Sequence, residues 1–214
     1  MVGRSRGRPE KSTGGAILDE DLLDLVLQAF GKSGFDGTSV REIARELNVS
    51  HNLIPQRFGT KKKLWFAAVD YGFSRLEQEL VREGEILGED QLVVLRGLLA
   101  KTIELHATYP ALLQIVNQEA GQPGPRLDYL VDTYINPARE FGDQWIAKLV
   151  AEGRLKAASG SLLYFLTIHG AGAMFALPGL TQRMGDQHGE ARVKTIRRQA
   201  QQAADIIFNG LLPR

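Results

Sequence analysis

The sequence predicts an all-α protein. Apolar residues recur three and four apart nearly from end to end, no stretch alternates apolar and polar residues as a strand would, and no repeat of solenoid length is present. The chain has 214 residues, 43% hydrophobic and 24% charged, as expected of an ordinary globular protein able to bury a core. It contains no cysteine, which excludes disulfide scaffolds, thiolate metal sites and cysteine nucleophiles.

The elements follow in order. Residues 1–18 read as a basic, flexible arm; acidic DEDLLD follows instead of a continuous apolar run, which argues against a signal peptide. A first helix is expected from about Asp19, with Glu20 and Asp21 suiting its positive end and Leu22, Val26, Ala29 and Phe30 forming its apolar face; Gly31 and Gly34 should end it. Ser39 with Glu42 three residues on is a capping box, and Val40, Ile43, Ala44 and Leu47 continue it as a short amphipathic helix. After a turn at Asn48-Val49, Ser50 is a candidate N-cap for a third helix starting at His51 and stopping before Gly59, with Val49 and Ile54 as a hydrophobic staple.

Two short helices joined by a tight turn, after a longer one, describe a helix-turn-helix whose last helix enters the DNA major groove. His51, Asn52, Gln56 and Arg57 would form its exposed face, with side chains able to bond base edges or phosphates. Pro55 falls at the fifth position of that helix, where it should cost about 3 kcal/mol unless the first turn is loosened. Thr60 should cap the next helix, yet Lys61, Lys62 and Lys63 follow it against the helix dipole. A phosphate held at that helix end would reverse the sign, which makes Lys61 the first candidate for a backbone contact; a solvated cluster is the alternative. Charge distribution agrees with an anionic partner. Residues 1–65 carry eleven Lys and Arg against eight Asp and Glu, a net +3, within a chain of net +1.

From Leu22 to Phe73, and above all in GFDGTSVREIARELNVS, the Phe58-Gly59 stop and Lys61 opening a long helix before Leu64, the sequence resembles the tetracycline-repressor (TetR) family of bacterial transcriptional regulators. Pro55 and Arg57 stand where that family often has tyrosines. The resemblance implies a helix-turn-helix DNA-binding domain over 19–65, and a larger helical ligand-binding and dimerisation domain over 66–214. It implies a cytoplasmic homodimer that binds a palindromic, double-stranded DNA operator and releases it when a small, largely apolar effector enters. Expected DNA contacts are Ser39, Arg41, Ser50, His51, Asn52, Gln56, Arg57 and Lys61. Arg4, Arg6 and Arg8 around the Arg6-Gly7-Arg8-Pro9 stretch resemble an AT-hook reaching a minor groove.

Beyond Lys61, helices are expected to about Leu87, weakly interrupted at Gly72, then from Asp90-Gln91 to Tyr109, from Pro110 to about Gln118, and from Arg126 to Glu152. Two more should cover Ser161 to Leu177 and about Glu190 to Leu211. Residues 157–182 hold no charged side chain; His169, Pro178 and several glycines favour a helix buried on all sides over a membrane span. Gly170 and Ala173 there, with Ile196, Ala200, Ala203 and Ile207 of the last helix, are the expected dimer contact. Phe66, Phe73, His106, Tyr109, Leu113, Val116, Asn117, Tyr134, Phe141, Trp145, Phe165 and His169 are candidates to line an effector pocket, against the alternative of ordinary core packing. No metalloprotease, phosphate-loop, dinucleotide or nucleophile-elbow motif is present and the four histidines lack ligand spacing, so no enzyme, metal or cofactor is expected. Two other readings are an architectural DNA-binding protein without an effector, and a small-molecule carrier or enzyme keeping a vestigial DNA-binding domain.

Overall fold

The computed structural model describes residues 15–184 and 191–213. Among these every regular element is helical, as the periodicity requires. The elements are α1 (Gly15–Gly37), α2 (Val40–Glu46), α3 (Leu53–Phe58), α4 (Lys61–Leu87), α5 (Gln91–Thr108), α6 (Pro110–Glu119), α7 (Pro125–Leu130) and α8 (Asn136–Ala151). They continue with α9 (Gly160–Tyr164), α10 (Ala173–Ala176), α11 (Pro178–Arg183) and α12 (Ala191–Leu211). Wider π-helical stretches join α7 to α8 at Val131–Ile135, and follow α9 at Phe165–Ala171.

The first core forms where α1, α2, α3, α4 and α6 meet. Leu22, Val26 and Phe30 of α1, Ile43 and Ala44 of α2, Ile54 of α3, and Leu64, Trp65, Ala68 and Val69 of α4 pack with Leu112, Ile115 and Val116 of α6. The small N-terminal helices therefore share their interior with the larger part of the chain. The second and third cores lie at the other end. Leu149, Leu155, Leu163, Phe208 and Leu211 make one, and Ile103, Ala200 and Ala204 make the other, where α12 packs along α5.

Several expectations change in detail. The first helix starts at Gly15, inside the stretch expected to be an arm, and runs to Gly37. Gly34, as expected, breaks the α-helix with a non-helical backbone at φ 71°, leaving only a short last turn to Gly37, but Gly31 does not end it. A Cβ on Gly31 would lie 2.8 Å from the Cα of Ala111, so this glycine exists for contact between α1 and α6. Gly72 likewise does not interrupt α4. Its Cβ would meet Leu27 at 2.8 Å and Leu112 at 2.9 Å, so side chains of α1 and α6 press on α4 at this glycine.

The uncharged segment differs most. It breaks into α9, a π-helical stretch, α10 and α11, and Leu162, Phe165, Leu166, Leu177 and Leu180 are exposed, so it is not buried on all sides. Among the described residues no helix is long and apolar enough to cross a membrane.

Candidate nucleic-acid interface and the domain behind it

Each expected cap around the helix-turn-helix can be checked at its hydrogen bonds. Ser39 stands in extended backbone and its Oγ accepts from the Glu42 N–H, as an N-cap should. At the far end of α2, Asn48 takes a left-handed φ of 53°, its N–H donates to Arg45, and the Val49 N–H reaches the Ala44 carbonyl. That is a Schellman termination with asparagine in the left-handed position, and it makes the turn of the motif.

The third helix begins two residues later than its sequence suggests. His51 and Asn52 form a separate turn in which Leu53 donates to the Ser50 carbonyl, and α3 starts at Leu53. Ser50 Oγ accepts from the Asn52 N–H but does not cap the helix; Asn52 occupies the cap position without a side-chain bond. Pro55 is thus the third residue of α3 instead of the fifth. Its missing N–H falls among the first-turn donors that have no partner within a helix, so the expected penalty disappears. Ile54 is buried and anchors the helix, whereas His51, Asn52, Pro55 and Gln56 are exposed.

Arg57 and Lys61 have protein partners. The Arg57 guanidinium forms a two-point ion pair with Asp19 of α1, which joins the last turn of α3 to the first helix. Lys61 donates from Nζ to the Asp36 carbonyl at 3.2 Å and lies 4.8 Å from the Phe35 ring centre. The guanidinium of Arg126, which opens α7, lies 4.2 Å from the same ring and pairs with Glu119 at 2.8 Å. Thr60 caps α4 as expected, accepting from the Lys63 N–H at 3.2 Å. Ser39 is half-buried at its cap; Arg41 is exposed on α2. Arg4, Arg6 and Arg8 lie outside the described residues.

The expected effector residues gather in separate groups. Phe66 and Phe73 of α4 meet Tyr129 and Tyr134 with ring centres at 4.5 and 4.1 Å, and both tyrosine hydroxyls donate to Asp70 Oδ1 at 2.6 Å. Burial pushes both tyrosine pKa values up, and the hydrogen bond to Asp70 adds to it. Tyr109 and Val116 pack with the first core, Leu113 is buried, and Asn117 is exposed.

A second group contains His106, His169 and Phe165. His106 is buried and its Nδ1 donates to the Thr102 carbonyl at 2.7 Å, which fixes the neutral ring with its proton on that nitrogen. Burial holds the pKa of both histidines below the ordinary value, with the neighbouring His169 a lesser cause at His106. The rings of Tyr164 and Phe165 stand 5.6 and 5.3 Å from that of His169. Phe141 and Trp145 form a third contact on α8, with Phe141 exposed. A cleft of about 390 Å³ opens instead between α1 and α4, lined by Glu20, Asp21, Asp24, Tyr71, Ser74, Arg75 and Gln78.

The last helix also turns differently from expectation. Ala200 is buried, and Ala203 and Ile207 pack on the second and third cores, so this stripe faces its own chain. Gly170 is exposed and Ala173 and Ile196 are half-buried. The apolar side chains left facing outward are Leu162, Phe165 and Leu166 on the α9 side, and Val193 and Ile206 on α12. Asp70 and Tyr129 were not foreseen as site residues; their signal is a tyrosine pair five residues apart, which helix periodicity does not align.

Residues 22–68 match the family model described as bacterial regulatory proteins, tetR family. The whole chain is similar in fold to the ketosteroid transcriptional regulator KstR2 of Mycobacterium tuberculosis, at 19% identity and a TM-score of 0.68 over 96% of this chain and 98% of that one. It is similar to a TetR transcriptional regulator from Chloroflexus aurantiacus J-10-FL, at 18% identity and a TM-score of 0.67 over 94% and 100%. A third likeness is to AibR, solved with isovaleryl coenzyme A and operator DNA, at 16% identity and a TM-score of 0.69 over 89% and 98%. No curated protein matches the sequence. The N-terminal helices thus match the tetR family model, and the chain shares its helical fold with solved TetR-type transcriptional regulators.

Proposed function

We propose that this protein is a homodimeric, ligand-responsive repressor that binds a palindromic operator and is released by a small, largely apolar effector. The observation that carries this reading is the short helix α3, anchored by buried Ile54, with His51, Asn52 and Gln56 exposed and the Thr60-capped, lysine-led end of α4 beside it. Those side chains suit base edges, while Lys61 and the free N–H groups at the start of α4 suit a phosphate. Ser39, Arg41 and Ser50 flank them as backbone contacts. Arg57 joins them on leaving Asp19.

The dimer contact is better assigned to the outward face formed by Leu162, Phe165, Leu166, Val193 and Ile206 than to the inward stripe. An effector would enter among the helices behind the DNA-binding domain, where His106, His169 and Tyr164 combine apolar walls with a few polar atoms. A cytoplasmic location follows from an intracellular DNA partner.

The test is selection of duplex fragments from the source genome at low salt, followed by titration of the selected fragment. Tight binding to a few palindromic fragments, weakened by one small ligand, is expected. Binding with little sequence preference and no ligand response would support an architectural role instead, and no binding to any duplex would remove the proposal.

A further inference from the structure

Phe66, Asp70 and Phe73 lie at i, i+4 and i+7 on α4, on one face of the helix that also carries Lys61. All three are engaged by residues of one segment. Tyr129 meets the Phe66 ring and Tyr134 stacks on Phe73, while both hydroxyls share Asp70 Oδ1 at 2.6 Å. The two tyrosines are five residues apart. In an α-helix of 3.6 residues per turn they would point about 140° away from each other. They converge because Val131–Ile135 is π-helical, with the Asn136 N–H donating to the Val131 carbonyl, and the wider turn brings residues five apart toward one face.

We infer that Asp70 is a positioning residue, and that the π turn between α7 and α8 holds α4 in place through it. Converting that turn to α-helix at unchanged length turns Tyr134 by about 100° relative to Tyr129, as one α-helical step does. Tyr134 then leaves both Asp70 and Phe73, and α4 loses half of its contacts to this segment at once. Asp70 is nine residues from Lys61, about 13 Å along the helix, so a tilt of α4 about this point moves the DNA-facing end. The inference rests on the proposed DNA-binding function for its consequence, but its structural half stands alone.

Hydrogen exchange of the full-length protein, read by mass spectrometry, separates the two. In Asp70→Ala and in Tyr134→Phe, exchange across residues 61–73 and across 129–136 should quicken together by fivefold or more. Deleting exposed Thr133 should slow exchange within 131–136 by restoring α-helical bonds and, because the two tyrosines then stand four apart and about 40° from each other, leave exchange across 61–73 unchanged. Unchanged exchange across 61–73 in the two point variants would overturn the inference, and these decide the matter if the deletion variant does not fold. On a pool of genomic duplex fragments in dilute buffer, Asp70→Ala should shift affinity at least fivefold. Equal affinity in wild type and variant would refute the positioning role. A wild type that binds no duplex would refute the proposed function, leaving the exchange result to judge the π turn.

Discussion

Arg57, near the end of α3, is bound at two points to Asp19 on α1. An arginine held by a carboxylate beside the proposed DNA-facing surface has two possible partners, and the carboxylate also repels phosphate. Asp19→Asn should therefore tighten binding to duplex DNA severalfold and steepen the salt dependence by about one counterion. Arg57→Ala should relax preference at one base position, by about 1–3 kcal/mol if the freed arginine reads guanine. Fluorescence titrations over a range of salt check both. A weakened Asp19→Asn would mean that the pair serves only to brace α3.

Lys61 acts on a different quantity. Resting against Phe35 and bonded to the Asp36 carbonyl, it stands where the first turn of α4 leaves N–H groups without intrahelical partners. Lys61→Ala should weaken all duplexes alike and reduce the slope of log affinity against log salt by about one. Selection profiles should keep the same consensus. A changed consensus would assign Lys61 to base reading.

The contrast between these two residues shows how far local rules reach. Capping and periodicity placed α2, α4, α5 and α6 to within a residue or two, because Ser39, Thr60, Asp90 and Pro110 act on their own backbone neighbours. They could not reveal that Arg57 is held by a residue 38 positions earlier, nor that the Ala200 stripe faces α5. Which side of an amphipathic helix meets its own chain and which meets a second copy is decided by packing, and both sides of α12 carry apolar residues. The π turns were illegible for a related reason: a pattern search at 3.6 residues per turn treats Tyr129 and Tyr134 as unrelated, though tertiary contact with Asp70 unites them.

Gly31 and Gly72 lie at helix crossings where an added methyl group meets different kinds of neighbour. Gly31→Ala places a methyl group against the backbone of Ala111, which can yield only if α1 and α6 separate. It should destabilise the protein by about 1–3 kcal/mol. Gly72→Ala meets the ends of Leu27 and Leu112 instead, and these side chains can rotate, so its cost should be the smaller. Denaturant midpoints at unchanged slope measure both. An equal or larger loss in Gly72→Ala would show that the leucines at that crossing are as fixed as the backbone.

Buried His106 links stability to pH. Its folded pKa lies below the ordinary histidine value of 6.5, chiefly through burial, and His169 shifts the same way for the same reason. The unfolded chain therefore binds more protons than the folded one as pH falls below that value, and stability is lost on acidification. Full stability should hold above about pH 7 and decline from there toward the depressed folded values, with a slope set by both histidines. His106→Gln should remove the larger share of that decline while lowering stability at neutral pH, because the bond to the Thr102 carbonyl is not reproduced at the same reach. Denaturant titrations at several pH values between 5 and 8 are the measurement. A decline of equal steepness in the variant would place the responsible proton elsewhere, with His169 the next residue to replace.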